Sequence, residues 1–249
     1  MKTMTSILLI GILGLSCLKL SAQNDKLKEL EDKAYTAYVK SSVFMWKQID
    51  LEADKILKKD DTPVKNKIRA AKLKYGLLYT CLSNEDQETY EKYLDNTVNI
   101  IETLLKENPE SSELHALNAA VMSVQMGFSP MKGMTLGAES GKHIGEALSL
   151  DASNPLAWRQ NASSKYFTPK MFGGDINEAI KHYEHAIQLY EKNNLINDWI
   201  YLDALAWLGI AYQDTKQPEK AKATFEKALS IEPEFTWVKN SLLPSLIKS

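Results

Sequence analysis

The sequence predicts an all-α fold built from stacked helical hairpins, and three observations support this prediction. Apolar residues recur at helical spacing along most of the 249 residues, and no convincing alternating strand pattern occurs. Glycine and proline are sparse, at 11 and 8 residues, and no proline interrupts a segment with helical periodicity. The stretch 202–235 reads as a complete helix–turn–helix unit, and related units precede it. These features predict one continuous helical domain over 23–249.

The unit at 202–235 carries its signature residues at fixed spacings. They are Leu208, Gly209, Tyr212, Ala221, Phe225, Ala228 and Pro233. Small residues such as Gly209 and Ala221 let two antiparallel helices approach closely, while Phe225 fills the seam between them. Pro233 ends the second helix because proline lacks an N–H and clashes with the preceding turn. This pattern resembles the 34-residue tetratricopeptide repeat, with Leu205 at the position where that family usually has tryptophan.

The resemblance implies a right-handed α-solenoid of about four helix hairpins, with N-terminal helices before them and a C-terminal capping helix after them. The expected repeats lie at about 62–108, 111–151, 154–193 and 198–233, and the cap occupies 234–249. Two inter-helix turns are enlarged, at Phe128–Gly137 and Thr168–Gly173. The first 60 residues carry helical periodicity without a repeat signature.

The N-terminus resembles an export signal. Lys2 precedes an uncharged run of 12 residues from Ile7 to Leu18, which is shorter than the roughly 20 residues that a membrane span needs. We predict cleavage after Ala22, and therefore a periplasmic or secreted bacterial protein with no transmembrane span. Lipid attachment at Cys17 is the alternative; we favour it less because Gly14 stands where lipoprotein signals usually place leucine. Cleavage would leave Cys81 as the one cysteine of the mature chain, and we expect it to be buried.

The net charge does not suggest a nucleic-acid partner. The precursor has a formal charge of −2, and the predicted signal contains two lysines and no acidic residue. Charge is nevertheless uneven, because 55–74 holds eight basic residues against two acidic ones, whereas 84–113 holds nine acidic against two basic ones. We interpret these blocks as adjacent helices that attract each other. A basic face that meets anionic lipid or an acidic partner is the alternative reading of 55–74.

The resemblance also implies a function, a non-catalytic scaffold in the cell envelope that holds a protein or peptide in a concave groove. The first helix of each repeat lines that groove in the family. Carried onto this sequence, those positions predict six partner-binding residues: Arg159, Ser163, Tyr166, Asp203, Ile210 and Gln213. Arg159→Glu is accordingly expected to weaken capture of a partner and to leave the thermal midpoint nearly unchanged.

Two other functions are weighed against the scaffold. A small-molecule-binding protein would close its enlarged turns over the groove and form a deep pocket. An enzyme would need two or more of the four histidines (His115, His143, His182 and His185) to converge in a cleft. Glu178, His182 and His185 share one helix face and could hold a metal, but a solvated polar face explains them more simply. No catalytic motif is present, so we predict no catalytic residues, no metal and no cofactor.

Overall fold

The structure, a computed structural model, describes residue 21 and residues 23–246. The predicted all-α fold is confirmed, since every regular element in these residues is helical. Apart from residue 21, the predicted export signal, including Cys17, lies outside the described residues.

Ten main helices follow one another along the described chain. They are α1 (23–39), α2 (Val43–Leu57), α3 (Val64–Ser83), α4 (Gln87–Glu107), α5 (Ser112–Phe128), α6 (Gly133–Leu150), α7 (Pro155–Phe167), α8 (Ile176–Lys192), α9 (Trp199–Asp214) and α10 (Pro218–Ile231). A C-terminal helical segment occupies 236–245 and consists largely of the π-helical turn Val238–Leu242.

Local sequence signals set the helix starts and the turns. Ser111, Asn154 and Asp198 are examples of N-cap residues whose side chains accept hydrogen bonds from amides of the first helical turn. The tight turns after α3 and α9 each use one residue in the left-handed region, Glu85 and Lys216. The two enlarged turns instead contain short 3₁₀ helices between α5 and α6 and between α7 and α8.

Four hairpins pack in sequence, as the repeat pattern predicts: α3 with α4, α5 with α6, α7 with α8, and α9 with α10. The expected N-terminal helices form a further pair, α1 and α2. Lys26 and Leu30 of α1 line the same shallow cleft as Glu52 and Ile49 of α2, so the two helices run antiparallel. Helix α2 also packs against α3, which continues the stack towards the N-terminus.

Glycines allow the closest helix approaches. A Cβ atom placed on Gly209 would lie 2.2 Å from the Phe225 ring, and one on Gly76 would lie 2.2 Å from the Trp46 ring. Both rings are fully buried. The seam predicted for the last repeat is therefore present, and α2 and α3 form an equivalent seam that the repeat pattern did not reveal.

The two ends of the stack meet. The Thr236 hydroxyl of the C-terminal segment donates a 2.7 Å hydrogen bond to the carbonyl oxygen of Val39 at the end of α1. The Tyr38 ring lies 5.0 Å from the Trp199 ring of α9 and 5.4 Å from the Phe235 ring. The expected C-terminal cap is present, with Trp237 packed on Trp207. The concave side is consequently closed across its middle.

Candidate functional site

A buried ion pair lies where the resemblance implies a groove. Arg159 of α7 donates from Nε and Nη2 to Oδ2 of Asp203 on α9, at 2.9 and 2.5 Å. The two residues are 3% and 0% exposed. Burial alone would lower the pKa of Arg159, but the Asp203 carboxylate and nearby tyrosines hold that pKa well above its usual range. The guanidinium therefore stays charged inside the buried pair.

Tyrosines complete the coordination of Asp203. The hydroxyls of Tyr38 (3.0 Å) and Tyr79 donate to Oδ1 of Asp203, and Trp207 Nε1 donates to the Tyr79 hydroxyl at 2.9 Å. Burial, followed by the charge of Asp203, raises the pKa of Tyr38 and of Tyr79 well above the ordinary value. Both phenols thus remain protonated donors. We call Arg159, Asp203, Tyr38 and Tyr79 the hub.

The hub changes the picture of the predicted groove. Arg159, Ser163 and Asp203 are buried rather than lining an open surface, so their expected accessibility is corrected. The Ser163 hydroxyl shares a 3.0 Å hydrogen bond with the buried Tyr183 hydroxyl. The physical reason is that large aromatic side chains from α1, α3 and α9 occupy the concave side. Tyr38, Tyr75, Tyr79 and Trp199 fill it.

Beside the hub, four aromatic rings form a partly exposed surface that we call the aromatic shelf. Its members are Tyr166, Phe167, Trp207 and Trp237. Phe167 is 60% exposed and lies 4.9 Å, between ring centroids, from Trp207. The Trp207 ring lies 5.6 Å from Tyr166 and 5.7 Å from Trp237.

Three of the predicted binding residues lie in or next to the shelf. The Tyr166 hydroxyl donates to Asp214, and the Gln213 amide donates to the Ser245 hydroxyl at 3.4 Å. Ile210 lies one helical turn beyond Trp207 on α9 and is partly exposed. The structure therefore divides the six predicted residues into a buried half and an accessible half. Of the four shelf rings, the six predicted residues include Tyr166 but not Phe167, Trp207 or Trp237.

Two of the four histidines meet, but as part of a satisfied network. His115 Nε2 lies 2.8 Å from the Pro109 carbonyl oxygen, and the Nδ1 atoms of His115 and His143 lie 2.8 Å apart. Asn118 Nδ2 lies 3.1 Å from His143 Nε2. Because a carbonyl only accepts, His115 donates from Nε2, His143 donates to His115, and Asn118 donates to His143. All four ring nitrogens are used when both histidines are neutral.

The candidate metal ligands on α8 have other contacts. Glu178 forms a 2.6 Å ion pair with Lys165. The His182 and His185 rings pack edge-on against Trp158, with centroids 5.2 and 4.6 Å away. In the described part of the chain, no three His, Cys, Asp or Glu side chains converge as metal ligands would.

The basic block of 55–74 is paired differently from the sequence interpretation. Lys74 is buried against Asp50 and Asp54 of α2, at 2.6 and 2.8 Å. Arg69 binds Glu31 of α1, and Lys72 binds Asp198 at the start of α9. These cations therefore neutralise acids of α1, α2 and α9 rather than the acidic block on α4.

The enlarged turns do not fold over a pocket. Their apolar side chains Met131, Met171 and Phe172 point into solvent instead. Cys81 is buried with a free thiol, as expected, and burial raises its pKa to about 12. Within 23–246, none of the helices combines the length and apolar character needed to cross a bilayer.

Comparison with known proteins supports the repeat interpretation. A sequence model described as tetratricopeptide repeat matches residues 171–193 and 202–235. A comparison with curated proteins finds no match. Among solved structures, TTC0263, a thermophilic TPR protein of Thermus thermophilus, is similar at 12% identity and a TM-score of 0.60, covering 90% of this chain and 100% of that one.

A second similar structure is the HusA haemophore from Porphyromonas gingivalis. It shares 20% identity and a TM-score of 0.55, over 76% of this chain and 94% of that chain. At these identities the likeness extends to the fold alone. The matched segments lie within this stack of hairpins, so the chain contains tetratricopeptide repeats at 171–193 and 202–235.

Proposed function

We propose that this chain is an exported, non-catalytic interaction module that binds a protein or peptide partner on the aromatic shelf. The repeat fold supports a protein-interaction role. The observation that carries the proposal is the contrast between the buried hub and the exposed ring of Phe167 beside it. Aromatic side chains are enriched among the residues that dominate binding energy.

The shelf is preorganised for binding. The Trp207 ring is held by its hydrogen bond to the buried Tyr79 hydroxyl, and the Tyr166 ring is held by its hydrogen bond to Asp214. A partner would therefore meet rings that lose little side-chain entropy on binding. Gln213 and Asp214 provide polar groups at the margin that could orient a peptide backbone.

A paired-variant capture experiment tests this function. Phe167→Ser removes the most exposed shelf ring, and Phe44→Ser removes a ring of similar exposure (70%) on α2, outside the shelf. Each tagged variant and the wild type are used to capture partners from native envelope extract, followed by mass spectrometry. We expect a partner that Phe44→Ser retains and Phe167→Ser loses, with equal thermal midpoints. Equal capture by both variants would refute the shelf as the binding surface.

A second candidate is a carrier of a flat aromatic ligand on the same rings. Two findings favour considering it. One of the two similar structures is that of a haemophore, and the shelf offers four contacting rings at the surface. Titration with haemin distinguishes this candidate from the first. A saturable change in the haemin absorption band that Phe167→Ser abolishes would favour it, whereas an unchanged band would leave the protein-binding function.

A further inference from the structure

The two enlarged turns present apolar tips that the rest of the described molecule does not use. Met131 and Met134 lie in or just after the turn between α5 and α6, and Met171 and Phe172 lie in the turn between α7 and α8. These four side chains are 72–88% exposed. We call these two turns, 129–134 and 168–174, the central turns.

The central turns lie on the same edge of the molecule. Asn154, the N-cap of α7, donates a 2.8 Å hydrogen bond to the hydroxyl of Ser112, the first residue of α5. Helices α5 and α7 pack against each other and therefore start together. Their opposite ends, from which the central turns emerge, consequently project from one edge.

Charge distinguishes the central turns from the outer ones. The stretches 128–137 and 165–174 contain Lys132, Lys165 and Lys170 and no acidic residue. Within the described residues, Lys132 and Lys170 form no ion pair. The first acidic side chain after the second central turn, Asp175, accepts hydrogen bonds from two amides as the N-cap of α8. By contrast, the outer turns carry acidic residues, Glu85 and Asp86 after α3 and Asp214 beside Lys216 after α9.

We propose that the central turns insert their apolar tips into the interface of an anionic lipid bilayer, with Lys132 and Lys170 at the phosphate level. The tips are largely exposed and lie outside the hydrophobic core of the described residues, and an acyl-chain layer accepts protruding apolar groups. Lysines next to such tips are attracted by anionic headgroups while their aliphatic stems stay in the apolar layer. A second copy of the chain is a poorer occupant, because lysines would then face lysines. This surface is independent of the aromatic shelf.

Insertion is tested with a polarity-sensitive dye on the full chain. The dye is attached to a cysteine introduced by Phe172→Cys. The matched control carries the dye on an outer turn, through Lys216→Cys. Both variants also contain Cys17→Ser, so that the buried Cys81 is the one other cysteine. Vesicles contain phosphatidylcholine with or without phosphatidylglycerol. We expect a blue shift and quenching by brominated acyl chains for the dye at position 172 and neither for the dye at 216. Any lipid contact by residues 1–20 is common to both samples.

The lysines give a second readout. Lys132→Gln together with Lys170→Gln should lower partitioning of the dye at 172 into phosphatidylglycerol vesicles by about fivefold per lysine. Three results would overturn the proposal. They are an unshifted dye at 172, an equal shift in pure phosphatidylcholine, and a concentration-dependent shift without vesicles, which would indicate self-association.

Discussion

At the scale of single residues, Arg159 and Asp203 depend on each other. Without the guanidinium, the Asp203 carboxylate would stay buried beside two phenol hydroxyls and no positive charge. We expect Arg159→Ala to lower the free energy of unfolding by about 3–5 kcal/mol, measured by urea denaturation. This reverses the sequence-based expectation that a change at Arg159 leaves the thermal midpoint unaltered.

An exposed ion pair supplies the control for that prediction. Lys222 and Glu226 on α10 are 3.9 Å apart and more than half exposed. Lys222→Ala should cost less than about 0.5 kcal/mol. If Arg159→Ala cost no more than Lys222→Ala, the hub would not be buried as described.

The histidine pair predicts a pH dependence with a definite sign. Burial, and then the neighbouring His115, lowers the pKa of His143 below its ordinary value. The unfolded chain therefore binds more protons between the ordinary value, about 6.5, and the lowered one. The free energy of unfolding should fall as pH drops through that window, and His143→Gln should flatten the fall.

Chemical denaturation at several pH values measures this slope. Lys222→Ala on α10, which leaves the pair intact, is the control and should retain the wild-type slope. Glu139, Lys142 and Glu146 also act on His143 and stay unchanged in every variant. If the free energy of unfolding of His143→Gln depended on pH as steeply as that of the wild type, the pair would not be the source of the pH dependence.

At the scale of helices, α6 carries four glycines at four-residue spacing, Gly133, Gly137, Gly141 and Gly145. A Cβ atom on any of them would meet nothing within 4 Å. Because glycine costs about 0.5–1 kcal/mol relative to alanine inside a helix, Gly141→Ala should raise the unfolding free energy by about that amount. Gly209→Ala should lower it, since its Cβ would overlap the buried Phe225 ring. Urea unfolding of both variants checks the opposite signs.

The helices show what sequence could and could not predict. The seam of α9 and α10 follows from residues that are close in sequence, so Gly209 and Phe225 identified it. The α2–α3 seam was not predicted, because the space beside Gly76 is filled by Trp46, a side chain that the repeat pattern does not specify. Spacing predicts local hairpins well where the seam residues are of the usual types.

The site was harder to predict for a physical reason. The repeat pattern assigns Arg159 and Asp203 to one face of the stack, and the structure brings the two side chains together. It does not say what lies opposite them. Tyr38 reaches Asp203 across 165 residues of chain, and Tyr79 across 124. Such contacts depend on the curvature of the whole stack, which no local pattern encodes.

At the scale of the whole molecule, the hub makes this chain differ from an open array of repeats. In an open array each repeat contacts only its neighbours, so a substitution that destabilises one repeat has little effect on distant repeats. Here α1 and α3 contact α9 directly through Tyr38, Tyr79 and Trp199. The first and last hairpins should therefore gain and lose stability together.

Hydrogen exchange on Tyr38→Ala tests this closure most directly. The substitution removes the ring between Trp199 and Phe235 together with one hydroxyl donor to Asp203. If the ends are joined, amides of α9 should exchange faster in the variant than in the wild type, although Asp203 lies 165 residues away in sequence. Faster exchange confined to α1, α2 and α3, with α9 unchanged, would show that the hub does not join the two ends of the stack. The open groove implied by the repeat pattern would then be the better description.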